Sequence, residues 1–64
     1  MTTMERIILN LIKKLYQQTR SAIRTTIVAD LLAKNERVIR RVLVRLEAAG
    51  VIRRRGKRGG WLPA

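Results

Sequence analysis

The stretch Asn35-Glu36-Arg37-Val38-Ile39-Arg40-Arg41-Val42-Leu43-Val44-Arg45-Leu46-Glu47-Ala48-Ala49-Gly50 decides the fold, because it writes two different faces onto one helix. Asn35 is a good N-cap, and Glu36 stands in the first turn, where a carboxylate opposes the helix dipole. Gly50 sits where a left-handed closing residue is wanted. At about 100° per residue from Glu36, Ile39, Val42, Leu43, Leu46 and Ala49 cluster between about 220° and 340°, with Val38 at the edge. This is the expected core face. Arg40, Val44, Arg37, Arg41 and Arg45 occupy the arc from about 40° to 180°. Arg37–Arg41 and Arg41–Arg45 repel at i, i+4 spacing. A helix needing only solubility would mix glutamate into that face.

Downstream of Gly50 the pattern changes from helix to hairpin. Val51-Ile52 and Trp61-Leu62 suit two short strands around Arg53-Arg54-Arg55-Gly56-Lys57-Arg58-Gly59-Gly60, whose glycines permit a turn with positive φ. Arg55, Lys57 and Arg58 load the tip with cations that can reach phosphates or a minor groove. Trp61 argues against a disordered tail, since it needs something to cover.

Upstream, Lys34-Asn35 reads as a tight turn. A second helix is expected at about 26–33, with Thr25 or Thr26 as its N-cap and Val28, Ala29, Leu31 and Leu32 on its buried side. Ala22-Ile23-Arg24 fits a short strand, and Gln17-Gln18-Thr19-Arg20-Ser21 a loop. The first helix, about 3–18, opens with Thr2 and Glu5 in capping-box spacing. Met4, Ile8, Leu11, Ile12 and Leu15 recur at helical spacing, but Ile7, Leu9 and Tyr16 widen the apolar arc to roughly 200°. The surplus can pack beneath a wing or form the face of a homodimer.

Sixty-four residues make one domain, here 1–64, with the third helix at about 36–49 and the hairpin at 51–63. Such a chain buries only about 60% of its unfolded surface, so its core is small. It has no cysteine or histidine and only four carboxylates, which excludes disulfides and argues against a structural metal or a cofactor. Catalysis would rest on Glu5, Asp30, Glu36 and Glu47, whose spacings scatter them over three different helices, so no enzyme is expected. Fifteen basic residues give a net charge of +11, and eleven of the fifteen are arginine. That excess concentrates polyanions around the chain. Duplex DNA, RNA and an anionic membrane surface all qualify. The longest apolar run, Ile7 to Ile12, is broken by Asn10 and ends at Lys13-Lys14, so neither a span nor a signal peptide is expected. The chain reads as complete, cytoplasmic and associated with the nucleoid.

The order helix, short strand, helix, turn, helix, hairpin resembles the winged helix-turn-helix family of DNA-binding domains, over Glu5 to Leu62. Val28-Ala29 resembles the hydrophobic-Ala pair of the first motif helix, Leu32 the next apolar position, and Ile39 and Val42 those of the recognition helix. Leu46-Glu47-Ala48-Ala49-Gly50-Val51-Ile52 looks like the family's run into the wing, and Arg55 to Trp61 is similar to its hairpin. Ala33 stands where the turn usually has glycine, and Lys34 where an apolar residue is usual.

The resemblance implies a three-helix bundle with a two- or three-stranded antiparallel sheet. It implies a transcription regulator whose third helix reads the major groove through Arg37, Arg40, Arg41, Val44 and Arg45. Val44, alone among arginines, either touches a thymine methyl or is a small exposed apolar residue of no consequence. Thr26, Lys34 and Asn35 would lie near phosphates, and Arg54, Arg55, Lys57 and Arg58 would be wing contacts. A subfamily that binds Z-form nucleic acid needs an asparagine and a tyrosine where this chain has Arg40 and Val44, so that reading is rejected. Trp61 is expected across the sheet against the first helix instead. Competing readings are an RNA-binding winged helix, a nucleoid or replication accessory protein, and a module for an acidic protein partner. With only Tyr16 and Trp61 for stacking, single strands are the poorer fit. No small-molecule ligand is evident.

Overall fold

The computed structural model describes residues 1–56 and 59–64. Its elements are α1 (Thr3–Thr19), α2 (Thr25–Leu32), α3 (Glu36–Ala48), β1 (Ile52–Arg54) and β2 (Trp61–Pro63). The strands form one antiparallel sheet with register Ile52↔Pro63, Arg53↔Leu62 and Arg54↔Trp61. The strand expected at Ala22-Ile23-Arg24 shrinks to a single bridge. Ile23 N–H donates to Trp61 O at 2.9 Å, and Trp61 N–H donates to Ile23 O at 2.8 Å. The sheet therefore has two strands, stapled at one point to the segment before α2.

Each helix end has a local cause. Thr2 and Glu5 close the capping box: Thr2 N–H donates to Glu5 Oε1 at 2.7 Å and Glu5 N–H to Thr2 Oγ1 at 3.2 Å. Accepting the Thr2 backbone N–H, and then the Thr2 side-chain contact, holds the Glu5 carboxyl below its usual range. A depressed folded pKa stabilises above the unfolded value, and that contribution is lost as pH falls through the folded one. Acidification is therefore expected to fray the first turn of α1, seen as faster exchange of the Glu5 and Arg6 amides. In Glu5→Gln those amides should show no such acid-dependent step.

Asn35 caps α3 by accepting the Arg37 N–H at 2.8 Å. At its far end Gly50 adopts φ +78, Gly50 N–H reaches Glu47 O at 3.0 Å, and Val51 N–H reaches Leu46 O at 3.2 Å. The helix stops at Ala48, so Ala49 caps it in the open instead of joining the core.

The same closing motif ends α2, but with alanine at the left-handed position. Ala33 has φ 53 and ψ 43, with Ala33 N–H on Asp30 O at 3.2 Å and Lys34 N–H on Ala29 O at 3.0 Å. A non-glycine residue there costs about 1–2 kcal/mol. Glycine removes that cost but adds about 0.4–1 kcal/mol of unfolded-chain entropy. Ala33→Gly is thus expected to stabilise by up to about 1.6 kcal/mol, at about 4–8 °C in Tm per kcal/mol for a domain of this size. A lower Tm in a circular-dichroism melt would contradict this.

The core gathers Ile8, Leu9 and Ile12 of α1, Val28 and Ala29 of α2, and Ile39, Val42, Leu43 and Leu46 of α3 around Ile23, Ile52 and Trp61. Met4, Leu11, Leu15, Leu32 and Val51 pack against it. Two expectations are corrected. Leu31 is 58% exposed. Thr25, Val28, Ala29 and Leu32 form the buried stripe at i, i+3, i+4 and i+7, and Leu31 falls about 60° outside it. Thr25 is not a cap: Arg24 holds that position, without a side-chain bond, and Thr25 is buried in the first turn. The wide apolar arc of α1 is largely consumed inside the fold, since Leu9 is buried and Tyr16 half-buried, leaving Ile7 exposed.

Candidate nucleic-acid interface

Helix α3 lies with its apolar side inward, so its arginines face solvent. Arg37, Arg41 and Arg45 are exposed, and among the described residues none lies within ion-pair distance of a carboxylate. Val44 sits among them, 42% exposed. Arg40 shares the exposed side but is engaged, its Nη2 lying 3.2 Å from Glu36 Oε1 one turn earlier. The pair is largely solvated and contributes little to stability. It does orient the Arg40 guanidinium.

An open cleft of about 460 Å³ separates the start of α2, the start of α3 and the hairpin. Arg24, Thr26, Glu36, Arg40, Arg54 and Trp61 are among its walls. Thr26 is exposed in the first turn of α2, a helix start with no side-chain cap, whose amide dipoles favour an anion. Lys34 and Asn35 are exposed in the turn between α2 and α3. The Asn35 side-chain carbonyl is committed to capping α3, and its amide N–H₂ remains as a donor on this exposed residue.

On the hairpin, Arg55 is exposed and its backbone N–H donates to Gly60 O at 3.0 Å. Lys57 and Arg58, the other expected tip contacts, lie outside the described residues. Arg54 is drawn inward: its Nε lies 3.3 Å from Glu47 Oε1 and its guanidinium carbon 4.8 Å from the centroid of the Trp61 ring. Trp61 itself is buried as β2 packs on α1, but its polar edge turns to α2. The indole N–H donates to Thr25 Oγ1 at 3.0 Å. The same Thr25 was expected as a cap.

The structure brings Arg37, Arg40, Arg41, Val44 and Arg45 onto one exposed side of α3. Arg24 was missed, although a cation directly before the second helix was visible in the sequence. Among the described residues no cluster of carboxylates could hold a metal ion, and no helix is long and apolar enough to cross a membrane.

Three helices, a hairpin packed beside the third, and an arginine row on that helix's outer side define a winged helix-turn-helix DNA-binding domain. A family model described as winged helix-turn-helix transcription repressor, HrcA DNA-binding, matches residues 1–64, and the chain belongs to that family. No curated protein and no solved structure matches it significantly.

Proposed function

We propose that this repressor-type domain binds duplex DNA sequence-specifically, with α3 in the major groove and the hairpin on the flanking backbone. The observation that carries the reading is the exposed arginine row of α3, where among the described residues no carboxylate lies within ion-pair distance of Arg37, Arg41 or Arg45. Arginine offers two donors to guanine O6 and N7, and each such pair discriminates by about 1–3 kcal/mol. Thr26, Lys34, Asn35 and Arg55, all exposed, meet phosphates in this reading, and such contacts set register and not sequence. Val44 reads a thymine methyl, so Val44→Ala should lose preference at one base position and leave the others intact.

The test is fluorescence anisotropy on duplex DNA, single-stranded DNA and duplex RNA across a salt series. Duplex DNA should bind tightest, with affinity falling by about 0.9 log units per log unit of salt for each phosphate contacted. Equal or tighter binding to RNA would overturn the reading. Binding to none of the three near physiological salt would point to an acidic protein partner instead.

A further inference from the structure

Arg54 is held more tightly than a phosphate-seeking cation needs to be. Its Nε bonds the carboxylate of Glu47 on α3, while its plane lies over the ring of Trp61, its cross-strand partner. Trp61 passes the contact on through its indole N–H to Thr25 in the first turn of α2. A continuous run of side chains thus joins α3, both strands and α2, and its members Arg54, Trp61 and Thr25 line the cleft. Using an N–H edge and the guanidinium plane at once is something a lysine ammonium cannot reproduce. A half-exposed ion pair adds little to overall stability. Its effect falls on where the hairpin stands relative to α3.

We propose that Arg54 is a positioning residue. It fixes the angle of the hairpin against α3, and so the width of the cleft that receives the DNA backbone, instead of binding a phosphate itself. The inference rests on the duplex-binding reading above. It assigns different work to two neighbouring arginines, with Arg55 exposed to the ligand and Arg54 clamping the wing.

Charge and geometry make opposite forecasts for three variants: Arg54→Lys, Arg54→Gln and Glu47→Gln. Duplex affinity and its salt slope are measured at a temperature where circular dichroism shows every variant folded, so that a role confined to stability changes nothing. A clamp predicts that Arg54→Lys fails to rescue and is as weak as Arg54→Gln, each about tenfold below the parent, with the salt slope unchanged. Glu47→Gln should also weaken binding, although it adds net positive charge, and combining it with Arg54→Gln should cost no more than either alone. The proposal is overturned if lysine restores affinity, if Arg54→Gln lowers the salt slope by about one, or if Glu47→Gln tightens binding. If the parent binds no duplex, the functional reading fails, and hydrogen exchange judges the clamp separately. Both Arg54 variants should then expose the Arg55 and Trp61 amides faster than the parent, and unchanged exchange would sink the clamp as well.

Discussion

Trp61→Ala is expected to unfold the hairpin and to bring the whole domain to the edge of unfolding. Removing a buried tryptophan costs about 3–5 kcal/mol. A chain of this length has only about 3–10 kcal/mol in total, at about 0.05–0.15 kcal/mol per residue. Trp61 is 5% exposed, and its backbone makes both hydrogen bonds of the Ile23 bridge. Its ring lies under Arg54, and its N–H donates to Thr25 Oγ1. One side chain therefore ties the hairpin to α1 and α2 and, through Arg54 and Glu47, to α3. The loss should lower Tm by more than about 12 °C, at about 4–8 °C per kcal/mol.

Two companions separate the contributions. Trp61→Phe keeps most of the apolar area but drops the donor. Thr25→Val keeps volume but leaves the buried indole N–H without a partner, at about 1–3 kcal/mol. If Trp61→Ala melted within a few degrees of the parent, the hairpin would not be part of the cooperative core. Gly60 gives an independent check. It holds φ +84, and a Cβ there would stand 2.8 Å from the Ile23 carbonyl oxygen, against the strand bridge itself.

Why some of this was legible beforehand follows from range. The boundaries of α3 depend on Asn35 and Gly50, each acting within one turn, and its two faces depend on a period of 3.6 residues. Both are local. Leu31 was misplaced because an eight-residue helix offers too few apolar positions to fix its buried stripe, and Ala49 because the helix stops one residue before it. Thr25 offers itself as a cap, beside Thr26, because capping is the local use of threonine. Its real partner lies 36 residues away. The partners of Arg54 are non-local in the same way, since nothing near it in sequence announces an indole plane or the Glu47 carboxylate. The Glu36–Arg40 pair is different: its i, i+4 spacing was in plain view, but the dipole role of Glu36 had already accounted for that residue.

Arg41→Ala is expected to weaken duplex binding while leaving the fold intact or slightly firmer, and the opposition of those signs is what makes it decisive. Arg41 lies between Arg37 and Arg45 on the outer side of α3, at i−4 and i+4. Each like-charge pair at that spacing destabilises a helix by about 0.2–0.5 kcal/mol, so removing Arg41 relieves two of them. Alanine is also the better helix former. Nothing buried is lost, because Arg41 is exposed. In the complex the balance reverses: a base-reading arginine is worth about 1–3 kcal/mol, roughly 5- to 150-fold in affinity, and its loss relaxes preference at one base position. Arg41→Glu should weaken binding further, because its carboxylate repels the phosphates while forming attractive pairs with Arg37 and Arg45 that raise Tm. A binding surface that is kept at a cost in stability is the expected mark of function. The paired measurement is a thermal melt and an anisotropy titration on the same preparations. If Arg41→Ala bound duplex as tightly as the parent, the outer side of α3 would not be the interface, and a fall in Tm alongside weaker binding would make Arg41 a structural residue.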